Sequence, residues 1–259
     1  MGKTLNNFRL QVSLEWIRRF GFTKYFVHAF LGLLNLTRLD KPAVYQRLMK
    51  AAKSIEIDPF IMANCSKGKV RINLEKEAKQ LEKLIQARSS KSKFPSNWNS
   101  GIRTSQLLYL MTRRYRFLRI LEIGTGNGIS TFSLFRALKM NSQHSILKTV
   151  DTSNSAGSIL NEQERSKISF EVVMPDLRSK KAFFSKLGSF QPDLVFVDGA
   201  HDYLNVINDL ELSLNLKPKV IIADDIEVND AWEDFCTKND LAYRVFLDGR
   251  KVLGVCFLS

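Results

Sequence analysis

The sequence predicts an α/β fold: a seven-stranded, mostly parallel sheet with helices on both faces and an antiparallel C-terminal strand, preceded by an α-helical N-terminal region. Three observations carry that expectation. From Arg119 onward, short apolar runs alternate with helical segments, the pattern of a parallel sheet covered on both faces. Upstream, apolar residues recur at three- and four-residue spacing, the period of an amphipathic helix. Near the end, Asp248-Gly249 joins two strand-like runs, and a hairpin forces its strands to run in opposite directions.

The helical period covers residues 5–20, 23–36, 42–55 and 74–88. Pro42 suits a first helical turn. In the fourth segment Leu74, Ala78, Leu81, Leu84 and Ile85 form one apolar stripe, and Glu75 and Glu77 near its start favour the helix dipole. Residues 89–101, rich in Ser, Lys and Asn and containing Pro95, read as a linker or loop. A helix over 104–115 then leads into strands at 119–124, 146–151, 168–173, 193–198, 220–225, 242–247 and 251–258. This divides the chain into a basic helical lid or oligomerisation region, 1–100, and a ligand-binding domain, 101–259.

At 259 residues and 44% hydrophobic content the chain is long enough for a substantial core. Cys65, Cys236 and Cys256 show no metal-knot or disulfide spacing, which fits a reducing cytoplasm. The longest apolar stretch, 20–36, is broken by Lys24 and His28 and falls short of the roughly 20 residues of a membrane span. Asn6 stands where a myristoylation signal wants Ser or Thr. The net charge of +13 is unevenly placed. Residues 1–118 hold 23 Lys and Arg against 7 Asp and Glu, whereas 119–259 hold 16 against 19. The basic helices are thus expected to cover the substrate site or make a dimer contact, with anionic substrates as the natural complement. A peripheral membrane contact is a weaker expectation. Nucleic-acid binding, including RNA methylation, is the competing class on charge alone; no zinc-finger, RRM or KH signature accompanies it.

The segment LEIGTGNGIST joins the first strand to its helix and holds Glu122, Gly124, Thr125, Gly126 and Gly128. Glycines there let backbone approach a ligand closely. The dinucleotide fingerprint would need a glycine at position 129, which is Ile129. The second strand ends in Asp151, followed by Thr152, where an α/β nucleotide fold bonds ribose hydroxyls. The pattern E-x-G-x-G-x-G resembles the first motif of class I S-adenosylmethionine-dependent methyltransferases, which implies a Rossmann-like fold and S-adenosylmethionine as cofactor. The resemblance also implies that Asp176, after the third strand, bonds the adenine amino group. For each of these acids the plain alternative is a solvated loop or a helix cap.

The fourth strand ends in VDGAHDY and the fifth in ADDI, so Asp198, His201, Asp224 and Asp225 emerge at the carboxyl edge of the sheet, where ligands bind in this architecture. Converging carboxylates repel unless a cation sits among them, and oxygen donors suit Mg²⁺. Pairing D-x-x-H with an acidic pair is similar to metal-dependent small-molecule O-methyltransferases acting on sugar hydroxyls, relatives of the catechol and caffeoyl-CoA enzymes. That likeness, over roughly 100–259, implies Asp198, Asp224 and Asp225 as Mg²⁺ ligands, Asp198 also as a cofactor contact, and His201 as the base. The alternative leaves Asp198 at the cofactor's border and His201 capping the next helix. A small-molecule hydroxyl, a sugar or glycoside first, is the expected acceptor.

Overall fold

The computed structural model describes residues 69–94, 99–248 and 251–258, together with Leu48. The helices expected over 5–20, 23–36 and 42–55 lie outside the described residues apart from Leu48, as does Cys65. The chain runs α1 (Lys69–Arg88), a 3-10 turn (Ser89–Lys91), α2 (Ile102–Arg114), β1 (Arg119–Ile123), α3 (Ile129–Asn141), β2 (Ile146–Asp151), α4 (Glu162–Arg165) and β3 (Ser169–Val172). It continues with α5 (Leu177–Lys186), β4 (Leu194–Val197), α6 (Tyr203–Leu214), β5 (Val220–Ala223), α7 (Ala231–Lys238), β6 (Tyr243–Asp248) and β7 (Lys251–Phe257).

The seven strands order as β3-β2-β1-β4-β5-β7-β6. Strands β1 to β5 pair in parallel, and β7 is antiparallel to both β5 and β6. One reversed strand therefore lies between two that share the common direction. The order reverses between β1 and β4, and the divergence of the crossovers there opens a crevice at the carboxyl edge.

Side chains alternate across the sheet as a period of two requires. Ile120, Leu194, Phe196, Val220 and Ile222 pack with the helices α1, α2 and α3 on one face. Leu121, Val195, Val197, Ile221 and Ala223 pack with α5, α6 and α7 on the other. Such burial on both faces explains why the central strands read as unbroken apolar runs. In α1 the buried positions are Leu74, Ala78, Leu81 and Ile85, with Leu84 packed at the margin, the stripe expected from sequence. Arg88 closes that helix by pairing with Glu164 at 2.6 Å and lying 4.2 Å over the Phe132 ring, so residues 69–88 share the core of the sheet domain.

The C-terminal strands are fixed by two close fits. Thr104 donates to Asp248 Oδ2 through its backbone N–H at 2.7 Å and its hydroxyl at 2.6 Å, tying the first turn of α2 to the end of β6. A Cβ added at Gly254 in β7 would collide with the indole of the fully buried Trp232. Gly254→Ala is therefore expected to lower unfolding stability by about 1–3 kcal/mol, the usual cost of overpacking a filled core. A guanidinium titration followed by tryptophan fluorescence measures it, and an unchanged midpoint would mean that the sheet edge yields.

Candidate active site

The turn after β1 is held open by glycine. Gly124, Gly126 and Gly128 have φ of 97°, 51° and 91°, the left-handed region that side chains disfavour. At Gly124 the need is also spatial, because a Cβ would strike the backbone carbonyl of Asp198 at the end of β4. The turn is fastened to the loop after β2 as well: Gly157 N–H donates to Gly126 O at 2.8 Å and Ile159 N–H to Asn127 O at 3.1 Å. A cavity of about 240 Å³ opens over it, lined by Asn99, Ser100, Gly124 to Asn127, Ile129, Ser130 and Asp198.

The structure gives the acids around this turn differing places. Asp151 faces the turn itself: its Oδ2 accepts from the N–H groups of Thr125 at 3.1 Å and Gly126 at 2.8 Å, and its Oδ1 from Ser153 N–H at 2.9 Å. It holds the turn's shape and is not among the residues that line the cavity. Thr152 follows, half-buried. Thr125 is buried, its hydroxyl 2.7 Å from that of Thr149, while its backbone lines the cavity. Glu122, expected as a cofactor contact, is fully buried beneath the turn and off the cavity wall. Its Oε2 accepts from Thr131 at 2.6 Å and Thr149 at 2.7 Å, and Oε1 has no hydrogen-bond partner. Asp176 takes the plain alternative: it is exposed and caps α5 by accepting from Ser179 N–H at 2.9 Å, which keeps its carboxyl below the ordinary range.

Residues 92–94 and 99–100, within the segment read as a linker, make defined contacts with the turn. Lys93 N–H and Phe94 N–H both donate to Asn127 Oδ1 at 2.9 Å, and Asn127 Nδ2 donates to Phe94 O and Asn99 Oδ1. Ser100 donates to Asp198 Oδ2 at 3.0 Å, and Asn99 and Ser100 line the cavity. Sequence reasoning missed Asn99, Ser100 and Asn127. Only Asn127 carried a signal, as a short polar residue inside the glycine turn.

Asp198 lies at the cavity and also belongs to a second cluster. One ligand atom each from Asp198, His201 and Asp225 lie within 4.8 Å of one another. His201 Nε2 is 3.4 Å from Asp225 Oδ2, with the imidazole partly in solvent. The cap of α6 is Asp202, not His201. Asp224 is buried behind this group. The cation among these acids is Lys251, the first residue of β7, with Nζ 3.0 Å from Asp224 Oδ2 and 3.1 Å from Asp225 Oδ2. Burial alone would lower the lysine's pKa, but the charges of Asp224, Asp198 and Asp225 outweigh it and raise it. Burial, then the Asp225 charge, pushes the Asp224 carboxyl up to about 6; burial and the Asp224 charge hold Asp198 well above the carboxylate range.

This arrangement departs from a magnesium centre built on Asp198, Asp224 and Asp225. Two of those carboxylates hold an ammonium, and the third member of the exposed cluster is an imidazole, whereas Mg²⁺ prefers oxygen donors. The residues present fit Mg²⁺ poorly, and no chemical step is assigned to it.

Comparison with known proteins agrees with this architecture. Residues 121–226 match the model of a methyltransferase domain. No curated protein matches the chain. Among solved structures, the chain is similar to an O-methyltransferase from Bacillus cereus in complex with S-adenosylhomocysteine, at 17% identity and a TM-score of 0.53, covering 69% of this chain and 90% of that one. It is similar to the O-methyltransferase TomG from Streptomyces achromogenes, involved in tomaymycin synthesis and solved with S-adenosylmethionine, at 21% identity and a TM-score of 0.54, covering 69% and 89%. A third is the S-adenosylhomocysteine-bound methyltransferase PaMTH1 of Podospora anserina, at 14% identity and a TM-score of 0.51, covering 69% and 88%. At these identities the likeness speaks for the fold.

The buried Glu122 makes a measurable prediction. Burial pushes its carboxyl from 4.5 up to about 7, against the opposing hydrogen bonds of Thr131, Thr149 and Ser130. The folded state thus binds this proton more tightly than the unfolded chain, and stability falls as pH rises from the unfolded value to the folded one. The 2.5-unit gap corresponds to a loss on the order of 3 kcal/mol. Glu122→Gln cannot ionise, so thermal denaturation at pH 5 and pH 8 should show the variant losing less stability than wild type; equal losses would contradict this origin of the shift.

Proposed function

We propose that this chain, whose residues 121–226 match a methyltransferase domain, uses S-adenosylmethionine to methylate a hydroxyl oxygen of a small molecule, a sugar or glycoside in the first instance. The observation carrying this is the placement of the His201–Asp225 pair beside Asp198, which borders the cavity over the glycine turn. The structurally similar proteins from Bacillus cereus and Streptomyces achromogenes are O-methyltransferases, which supports the choice of oxygen.

S-adenosylmethionine, held over the glycine turn, would supply the methyl group to the acceptor oxygen and would leave as S-adenosylhomocysteine. The hydroxyl proton goes to His201. With Nε2 turned to Asp225, the Nε2–H tautomer leaves Nδ1 to receive it, and the Asp225 carboxylate then stabilises the imidazolium. Asp224 is held by Lys251, and His201, exposed at the rim and 3.4 Å from Asp225, is the basic side chain placed to meet an incoming hydroxyl. Ser100 positions Asp198, and the glycine turn supplies backbone to the amino-acid and ribose portions of the cofactor. The basic excess of the region expected over 1–100 favours an anionic glycoside as acceptor.

The test is methyl transfer from radiolabelled S-adenosylmethionine to a panel of neutral and phosphorylated glycosides. His201→Ala is expected to lower kcat by about a hundred- to ten-thousandfold, the range for a lost general base, with S-adenosylhomocysteine affinity unchanged. Full turnover of the variant, or methylation of amines alone, would overturn the reading.

A further inference from the structure

The position of Lys251 has consequences beyond neutralising one carboxylate. Neighbouring residues of an extended chain point to opposite sides, so Asp224 and Asp225 would ordinarily diverge. Here Asp225 adopts φ of 54°, the left-handed conformation that aspartate tolerates better than most residues. Beyond that bend both carboxylates meet one ammonium, at 3.0 and 3.1 Å. The lysine is itself buried. A buried charge persists only where partners replace its water, and two carboxylates do so here.

The reversed direction of β7 delivers the lysine to this place. β5 pairs with β7 antiparallel, Ala223 facing Gly254, so β7 begins where the parallel strands end. Lys251, three residues before Gly254, therefore projects over the carboxyl edge beside the β5 acids. Val252 N–H donates to Glu227 Oε2 at 2.9 Å, which fastens the start of β7 to the loop after β5.

We propose that Lys251 is the resident cation of this site, occupying the place between Asp224 and Asp225 that a divalent ion would need, so that the protein binds no Mg²⁺ or Mn²⁺ there. The inference concerns the carboxylate pair rather than the acceptor, and it stands or falls separately from the O-methylation reading. Its positioning role follows: Lys251 draws the Asp224 carboxylate away from the cavity and anchors Asp225 where it meets His201.

The experiment is a titration of the full chain, saturated with S-adenosylhomocysteine, with Mn²⁺ followed by electron paramagnetic resonance and with Mg²⁺ followed by calorimetry. Wild type should show no saturable site for either ion through the millimolar range. Lys251→Met, which keeps the length of the side chain and removes the charge, should gain one saturable Mn²⁺ site at least about tenfold tighter than any wild-type signal, since three carboxylates would then stand without a cation. A saturable wild-type site weakened by Asp225→Asn would overturn the proposal, as would a folded Lys251→Met protein that still takes up no Mn²⁺. Circular dichroism establishes folding of the variant, and the wild-type titration remains able to overturn the proposal if the variant does not fold.

Discussion

Everything at the carboxyl edge depends on how closely β1 and β4 come together where the strand order reverses. The backbone of Gly124 lies against the carbonyl of Asp198 with no room for a side chain between them. That contact sets the floor of the cavity: it brings Asp198 beside the glycine turn and places its carboxylate within reach of Ser100. The turn is then shaped from behind, because Asp151 gathers two of its N–H groups and Glu122 links the first turn of α3 to β2 through Thr131 and Thr149. Polar groups that a sequence reader assigns to a ligand are partly used to build the place where the ligand would lie.

Charge is distributed in the same layered way. Asp224 and Lys251 are buried, Asp225 is half-buried, and His201 is the most exposed member. The deep groups pair with one another and the shallow one faces solvent, which separates structural charge from the group placed for chemistry. Residues 93 and 94 add a further contact, since their N–H groups donate to Asn127 in the turn, while Ser100 donates to Asp198.

The sheet was legible because both periodicities were strong. Runs such as 146–151 and 220–223 are mostly apolar or β-branched, the first ending in Asp151 and the second followed by Asp224, and the Asp248-Gly249 turn predicted a hairpin. The edge positions of Asp198, His201, Asp224 and Asp225 followed from strand ends alone. The roles of the acids were less readable. Asp151, Glu122 and Asp176 all stand where a motif places a ligand contact, yet whether a carboxylate faces a cavity, a buried hydroxyl or a helix N-terminus depends on distances that spacing does not encode. Lys251 was missed for a different reason: it opens an apolar strand far from any motif, and only the antiparallel register carries it to the β5 acids. A hairpin at 248–249 says only that β6 and β7 run oppositely; that β7 is the strand reversed against β5 comes from the pairing itself. The basic excess of the first hundred residues lies mostly outside the described structure.

The central claim is that the bare backbone contact at Gly124 forms the cofactor site. Calorimetric titration of S-adenosylhomocysteine into wild type and into Gly124→Ala tests it most directly, with melting temperature recorded to establish that both are folded. The account predicts one site in wild type and no measurable heat from a folded Gly124→Ala protein, whose added methyl would push the Asp198 carbonyl into the cavity. Equal affinity in the two proteins would contradict it.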